Sequence, residues 1–479
     1  MPRILILLVF LGLNLLASPL VHAQTTRLPQ LGEASGGLLT PSEELELGRS
    51  LLREVRRVMP LQTDPQVIFY LEVLGQRLLS NTSDTHTPFY FLPIANPQIN
   101  AFAMPGGIIG VYSGLFLAAR DEAELAAVLA HEIAHVTQRH IARMYARSRD
   151  VNYVTGLAIL AGILAASIDP QLAQAAIAGG IAGQIQSRLN FSRVHEAEAD
   201  RVGIQILAAT NLDPHAMADF FERLQALTRG AQDNIPEYLR THPVTLERIS
   251  DARGRAATLS GDFQREITGE FAWIQARLRA LTDPQRSLQH HAARGDQATP
   301  VQHYEAFVAY LANQRPERAA HHLQQIPPSA APGLLLDLAG IELAQARQAY
   351  SEALADLEVL NSIYPQHPLI QRIEARIRHY AGEHREAVRL IDRILRQPTT
   401  PDPELLRLKA DAAAGAGLRA VSQEAMAEYF FHRGQYSEAI RHFDHALAAA
   451  DATARDIERI EFKRDSAKQV AEDQERQRR

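Results

Sequence analysis

Between Glu43 and Ser80 apolar residues recur at three- and four-residue spacing, broken near Pro60 to Pro65, which predicts two helices. Residues 88–117 change character: short apolar runs punctuated by Pro and Gly predict a small sheet. From Asp121 to Arg149 the helical period returns through Leu125, Val128, Leu129, Ile133 and Val136, and Asp121 and Glu124 have the spacing of a capping box. Residues 151–168 and 171–187 carry no charge and are separated by Asp169-Pro170. Both runs are rich in Gly, Ala and Gln and sit at or below spanning length, so a buried or lid-like helical hairpin, with a face for peripheral membrane contact, is favoured over two membrane spans. A further helix is expected from Ser192 to Thr210, then two or three shorter ones to about residue 262.

Beyond residue 265 the pattern repeats. The segments PERAAHHLQQI, YSEALADLEVL, HREAVRLIDRI and YSEAIRHFDHA align on Ala319, Ala353, Ala387 and Ala439; the first three are spaced by 34 residues and the fourth follows after 52. A 34-residue period around a small residue is the mark of tetratricopeptide helix pairs, in which the Ala lets two helices approach. The expected fold class is therefore mainly α: an α+β domain with a small sheet over 43–264, then an all-α tetratricopeptide solenoid over 265–464 and a charged tail over 465–479.

Composition narrows the setting. The 479 residues are 46% hydrophobic and 22% charged, which excludes a disordered chain, and a net charge of -6 argues against nucleic acid as a partner. Cys is absent, removing disulfides, thiolate metal ligands and Cys nucleophiles. Residues 1–23 have a positive start at Arg3, an apolar run and a Val21-His22-Ala23 cleavage pattern, so they are expected to be a signal peptide, with 24–42 a flexible lead-in and the mature chain periplasmic.

The candidate chemistry lies in HEIAH, residues 131–135. His131 and His135 are four apart, so on a helix both imidazoles face one ion, and Glu132 beside them can take a proton from a water without ligating. A catalytic zinc needs a third protein ligand. A third His on the same helix fails, since the required positions hold Gln138 and Ile141; His140 is one residue out of phase and reads as a solvated helix residue. SRVHEAEADRVG supplies another route: Glu196 as ligand, with Asp200 one turn on to accept a ring N–H of a ligating His. His195 and Glu198 compete for the third position.

HEIAH followed some 60 residues later by E-x-x-A-D, with NAFAMPGG upstream, resembles the M48 zinc metalloproteases over roughly residues 40–260. The resemblance implies a zincin-type metalloprotease domain with one zinc per chain held by His131, His135 and Glu196, with Glu132 the catalytic base and Asp200 the carboxylate behind a ligating His. RTHPVTLERI resembles the His-Pro element late in that domain, and His242 is expected to stabilise the oxyanion or to close the metal as a fourth ligand. With the repeats, the resemblance implies a periplasmic quality-control endopeptidase acting on unfolded or misfolded proteins, degrading misfolded outer-membrane β-barrel proteins and assisting their assembly by binding the assembly machinery. A chaperone or adaptor with a structural zinc is the alternative. Asn100 to Met104 is a candidate edge strand for substrate backbone.

Overall fold

A computed structural model describes residues 40–82, 87–147, 192–228, 236–396 and 402–478. The signal-peptide pattern, all but the end of the lead-in, and the two uncharged stretches lie outside the described residues.

The first two helices form as the spacing predicts: α1 Pro41–Val58 and α2 Pro65–Leu79. Thr40 and Glu43 close a reciprocal capping box at α1, and Asp64 accepts the Gln66 and Val67 amides at α2. Three strands follow, β1 Tyr90–Ile94, β2 Ala101–Met104 and β3 Ile108–Tyr112. Their order is β1-β3-β2, with β1 parallel and β2 antiparallel to β3, so β2 lies at the edge of this sheet. Leu92, Ile94, Met104, Ile108 and Tyr112 pack with Leu47, Leu51, Leu52 and Val55 of α1, while Phe91, Ala101, Ile109 and Val111 join the main core with α2. Burial on both faces is why the strands read as apolar runs rather than alternating ones. Gly106 and Gly107 turn the chain from β2 to β3 at φ 77°, and a Cβ on Gly106 would stand 2.5 Å from the Gly48 Cα of α1. The sheet stops earlier than its composition suggests: Ser113–Ala118 is a short helix, α3, anchored by Ser113 Oγ donating to Ile94 O at 3.0 Å.

The helix expected from Asp121 to Arg149 is two helices. α4, Glu122–Thr137, ends at Gln138; Arg139 adopts φ 52°, and α5, His140–Arg147, starts afresh. Two contacts offset the cost of that left-handed residue: Arg139 Nε donates to Glu44 at 3.0 Å, and the reversal carries His140 back over α4. Only half of the anticipated capping box forms. Asp121 accepts the Glu124 amide at 2.9 Å, but the Glu124 carboxylate turns to the Arg120 N–H and to Arg223. Every residue from Glu122 to Val136 is buried, so α4 is the central helix of the core rather than an amphipathic surface one.

Four helices complete this part: α6 Arg193–Ala209, α7 Ala216–Thr228, α8 Glu237–Thr241 and α9 Leu246–Ala257. The regular elements described beyond residue 270 are helices: α10 Phe271–Thr282, α11 Pro284–Arg294, α12 Pro300–Ala312, α13 Pro316–Gln324, α14 Leu335–Ala346, α15 Tyr350–Ile363, α16 Pro368–Tyr380, α17 His384–Leu395, α18 Pro403–Gly415, α19 Arg419–His432, α20 Tyr436–Leu447 and α21 Ala454–Arg478. Ala319, Ala353, Ala387 and Ala439 are each fully buried, on α13, α15, α17 and α20. Among the described residues no helix is long and apolar enough to cross a membrane.

One hydrophobic core runs from α2 and α4 through Phe271, Trp273, Phe307 and Ala339 into α14. A buried guanidinium pins it. Arg277 of α10 reaches Asp64 at 2.6 and 2.8 Å, Glu342 of α14 at 2.6 and 3.0 Å, and the Tyr304 hydroxyl of α12 at 3.2 Å. Burial pushes the Asp64 carboxyl up, and Arg277 overcomes it, holding the group below its ordinary range. Arg277→Met should leave two carboxylates facing each other without a cation and cost about 3–5 kcal/mol of unfolding free energy, measured by urea denaturation.

Candidate metal centre

The centre is built where α4 and α6 touch. Gly203 permits the contact: a Cβ there would meet the Met217 methyl at 2.8 Å and the His131 backbone N at 3.2 Å. With α6 this close, Glu196 and Asp200, one turn apart on it, face His131 and His135, one turn apart on α4. Ser192 caps α6 by accepting the His195 amide and so sets where that face begins.

One donor atom from each of His131, His135, Glu196 and His242 lies within 4.8 Å of the other three, and all four residues are buried. The two Nε2 atoms of His131 and His135 are 3.0 Å apart. Glu196 Oε1 is 3.4 Å from His135 Nε2, and its Oε2 is 3.6 Å from His131 Nε2. His242 follows α8 and brings its Nδ1 to 3.0 Å from Glu196 Oε1 and 3.5 Å from His131 Nε2. Tetrahedral bonds of about 2.05 Å separate neighbouring ligand atoms by about 3.3 Å, so the spacing suits one small divalent ion. Three imidazole nitrogens and a carboxylate oxygen suit zinc better than magnesium or calcium.

The imidazoles are oriented from behind. Asp200 Oδ1 lies 2.9 Å from Nδ1 of His131. On His135 that role falls to His140, whose Nδ1 is 2.8 Å from the His135 Nδ1 and whose Nε2 is 3.1 Å from Glu198. Neutral tautomers satisfy the whole chain: each Nδ1–H of the pair on α4 points away from the centre and leaves an Nε2 lone pair facing it. His140 is thus a buried positioning residue and not a solvated one. His195 stacks on it, rings 4.6 Å apart, and Glu198 also takes Arg143 at 2.6 Å. Neither His195 nor Glu198 joins the cluster, whereas Glu196 does.

Arg248 is the residue the sequence reading missed. From α9 it donates to both oxygens of Asp200 at 2.8 Å and to Pro243 O at 2.9 Å, lies 2.7 Å from Glu196 Oε2, and stacks over Phe221. The signal was available: positions 248, 252 and 256 share one face of α9, and the last two are buried Ala. An Arg at an apolar-face position needs a buried anion. Burial pushes the Asp200 carboxyl up, but contacts with His131 and then Arg248 hold it below the ordinary range.

Glu132 differs from the rest. It is fully buried, neither carboxylate oxygen has a hydrogen-bond partner, and the nearest cationic candidate is His242 Nε2 at 3.7 Å. Burial raises its carboxyl above the ordinary value, against the pull of His242 and His131. An orphaned buried carboxylate costs free energy and is kept where chemistry uses it.

Comparison with known proteins gives the same direction. Residues 68–256 match peptidase family M48. The beta-barrel assembly-enhancing protease of Escherichia coli K12 is 34% identical over 423 residues, covering 86% of this chain and 85% of that one. Its namesake in Yersinia pestis is 41% identical over 229 residues, about half of each chain at 48% and 47%. The mitochondrial metalloendopeptidase OMA1 of Schizosaccharomyces pombe is 33% identical over 187 residues, 39% of this chain and 51% of that one.

Replacing Arg248 with Leu should release Asp200 and leave His131 without an oriented partner. Divalent-metal affinity should fall about 10–100-fold, read by chelator competition on the folded variant.

Proposed function

The chain belongs to peptidase family M48 and is a metalloendopeptidase, and from that premise we propose a zinc-dependent protease of the periplasm that degrades misfolded outer-membrane β-barrel proteins and assists their assembly. The observation that carries the catalytic half is the convergence of His131, His135 and Glu196 beside the unpartnered Glu132 carboxylate. In this reading those three hold the ion, and Asp200 and His140 fix the two imidazoles. A zinc ion bound there would polarise the scissile carbonyl and acidify water. Glu132 takes the proton of the attacking water and delivers it to the leaving amine. Its burial keeps bulk water from competing for the proton. Edge strand β2 offers backbone groups to an extended substrate, which would give tolerance of sequence.

The assembly half is supported by the E. coli relative's name, since the similarity extends beyond the catalytic part to 86% of this chain. The 34-residue spacing and the four buried alanines support tetratricopeptide pairs as the partner-binding part. The pattern in residues 1–23 supports export.

His242 favours a second state of the same enzyme. Four protein donors leave no open position, which is the composition of a closed, silent metal site. With Nδ1 of His242 at 3.0 Å from Glu196, we read the arrangement as a resting form in which His242 is the fourth ligand and must withdraw before cleavage. The same four donors are what a structural zinc in an adaptor would use; Glu132 is the residue that such an adaptor would not need.

Glu132→Gln should keep metal content and lose casein cleavage by at least about a thousandfold, the scale of removing a general base together with its charge. Cleavage at the wild-type rate would leave the adaptor reading in its stead. His242→Ala should weaken metal retention and raise the basal rate on an unfolded substrate; a lost rate with metal retained would assign His242 to the oxyanion.

A further inference from the structure

A second histidine cluster lies on helices that contribute nothing to the centre above. His291 of α11, His303 of α12 and His322 of α13 each place one ring nitrogen within 4.8 Å of the other two. His303 Nδ1 is 3.3 Å from His291 Nε2 and 3.3 Å from His322 Nδ1. Hydrogen bonding does not account for this. A neutral ring nitrogen carries one proton or one lone pair, so Nδ1 of His303 can serve one neighbour well and not two. Tetrahedral M–N bonds of about 2.05 Å give nitrogens about 3.3 Å apart, the spacing observed twice here. We infer that these three residues form a second metal site, for a borderline divalent transition ion such as zinc, copper(II) or nickel.

The surroundings fit an imidazole-only site. Burial and then the mutual proximity of the rings depress His322 to about 4 and lower His303 as well, so lone pairs are available at neutral pH. Burial also lowers His291, against the pull of Glu305, and that carboxylate is engaged by Arg279 at 3.0 Å. The Tyr310 ring lies nearly parallel to His322 at 5.2 Å and fixes its plane. Without a carboxylate or thiolate among the donors, magnesium and calcium are disfavoured, and copper(II) should bind tightest. Three protein ligands on partly exposed rings leave a position for water. The ion would staple three consecutive helices at the start of the repeated region, where each is otherwise joined to the next by a short link.

The test strips the full chain with chelator, dialyses it against zinc and counts bound metal by mass spectrometry. Wild type should retain two zinc ions per chain, and His303→Ala and His322→Ala one each, with casein cleavage unchanged. Should either variant unfold, His303→Gln and His322→Gln, which keep a hydrogen-bonding group of similar reach, should also retain one. Copper(II) added to a His131→Ala/His135→Ala chain should show electron-paramagnetic hyperfine splitting from imidazole nitrogens, abolished by His303→Gln. A single zinc in wild type, two in the variants, or copper without nitrogen splitting would overturn the site.

Discussion

Two helices touching at backbone distance is the constraint on which the rest depends. α4 is buried all round, so a polar side chain it carries must find its partner on a neighbouring element or, like Glu132, go without one. Among the described residues it is α6, drawn in at Gly203, whose carboxylates reach His131 and His135. The contact also concentrates charge. Glu132, Glu196 and Asp200 lie together in a dry interior, where three carboxylates could not all stay ionised unaided. Arg248 supplies the fixed positive charge, held by Asp200, Glu196 and the Pro243 carbonyl at once. One guanidinium thus serves two of the three carboxylates, and Glu132 is left without a hydrogen-bond partner.

The candidate cluster was legible because its spacing is helical. Residues four apart share a face, so HEIAH and the Glu196–Asp200 pair each announce a common direction, and the geometry only had to bring the two faces together. What was not legible depended on the backbone leaving its regular path. His140 looks out of phase with His135 if α4 continues; it comes back over His135 because Arg139 takes a left-handed conformation that nothing in an Arg predicts. The end of the sheet was blurred for a similar reason, as Ser113 to Ala118 is apolar enough for either state. Arg248 was hidden by habit rather than by physics, since a lone Arg on a helix is usually read as surface. The trio His291, His303 and His322 has no local periodicity, coming from three helices, and only packing reveals it.

The repeated helices are also bound into the catalytic part more closely than a serial domain order suggests. Arg277 joins the cap of α2 to α12 and α14, and the principal core passes through the same region without a gap. Around Arg277 the two parts therefore meet through packed side chains and a buried ion pair rather than through a linker alone.

At the far end, Arg53 of α1 donates to the Tyr436 hydroxyl at 2.8 Å across 383 residues of chain, with the Phe431 ring also against its guanidinium. The first described helix therefore waits for nearly the last before its contacts are complete. A topology closed so late folds slowly and leaves both partners of that contact open to other encounters while the chain between them is being made.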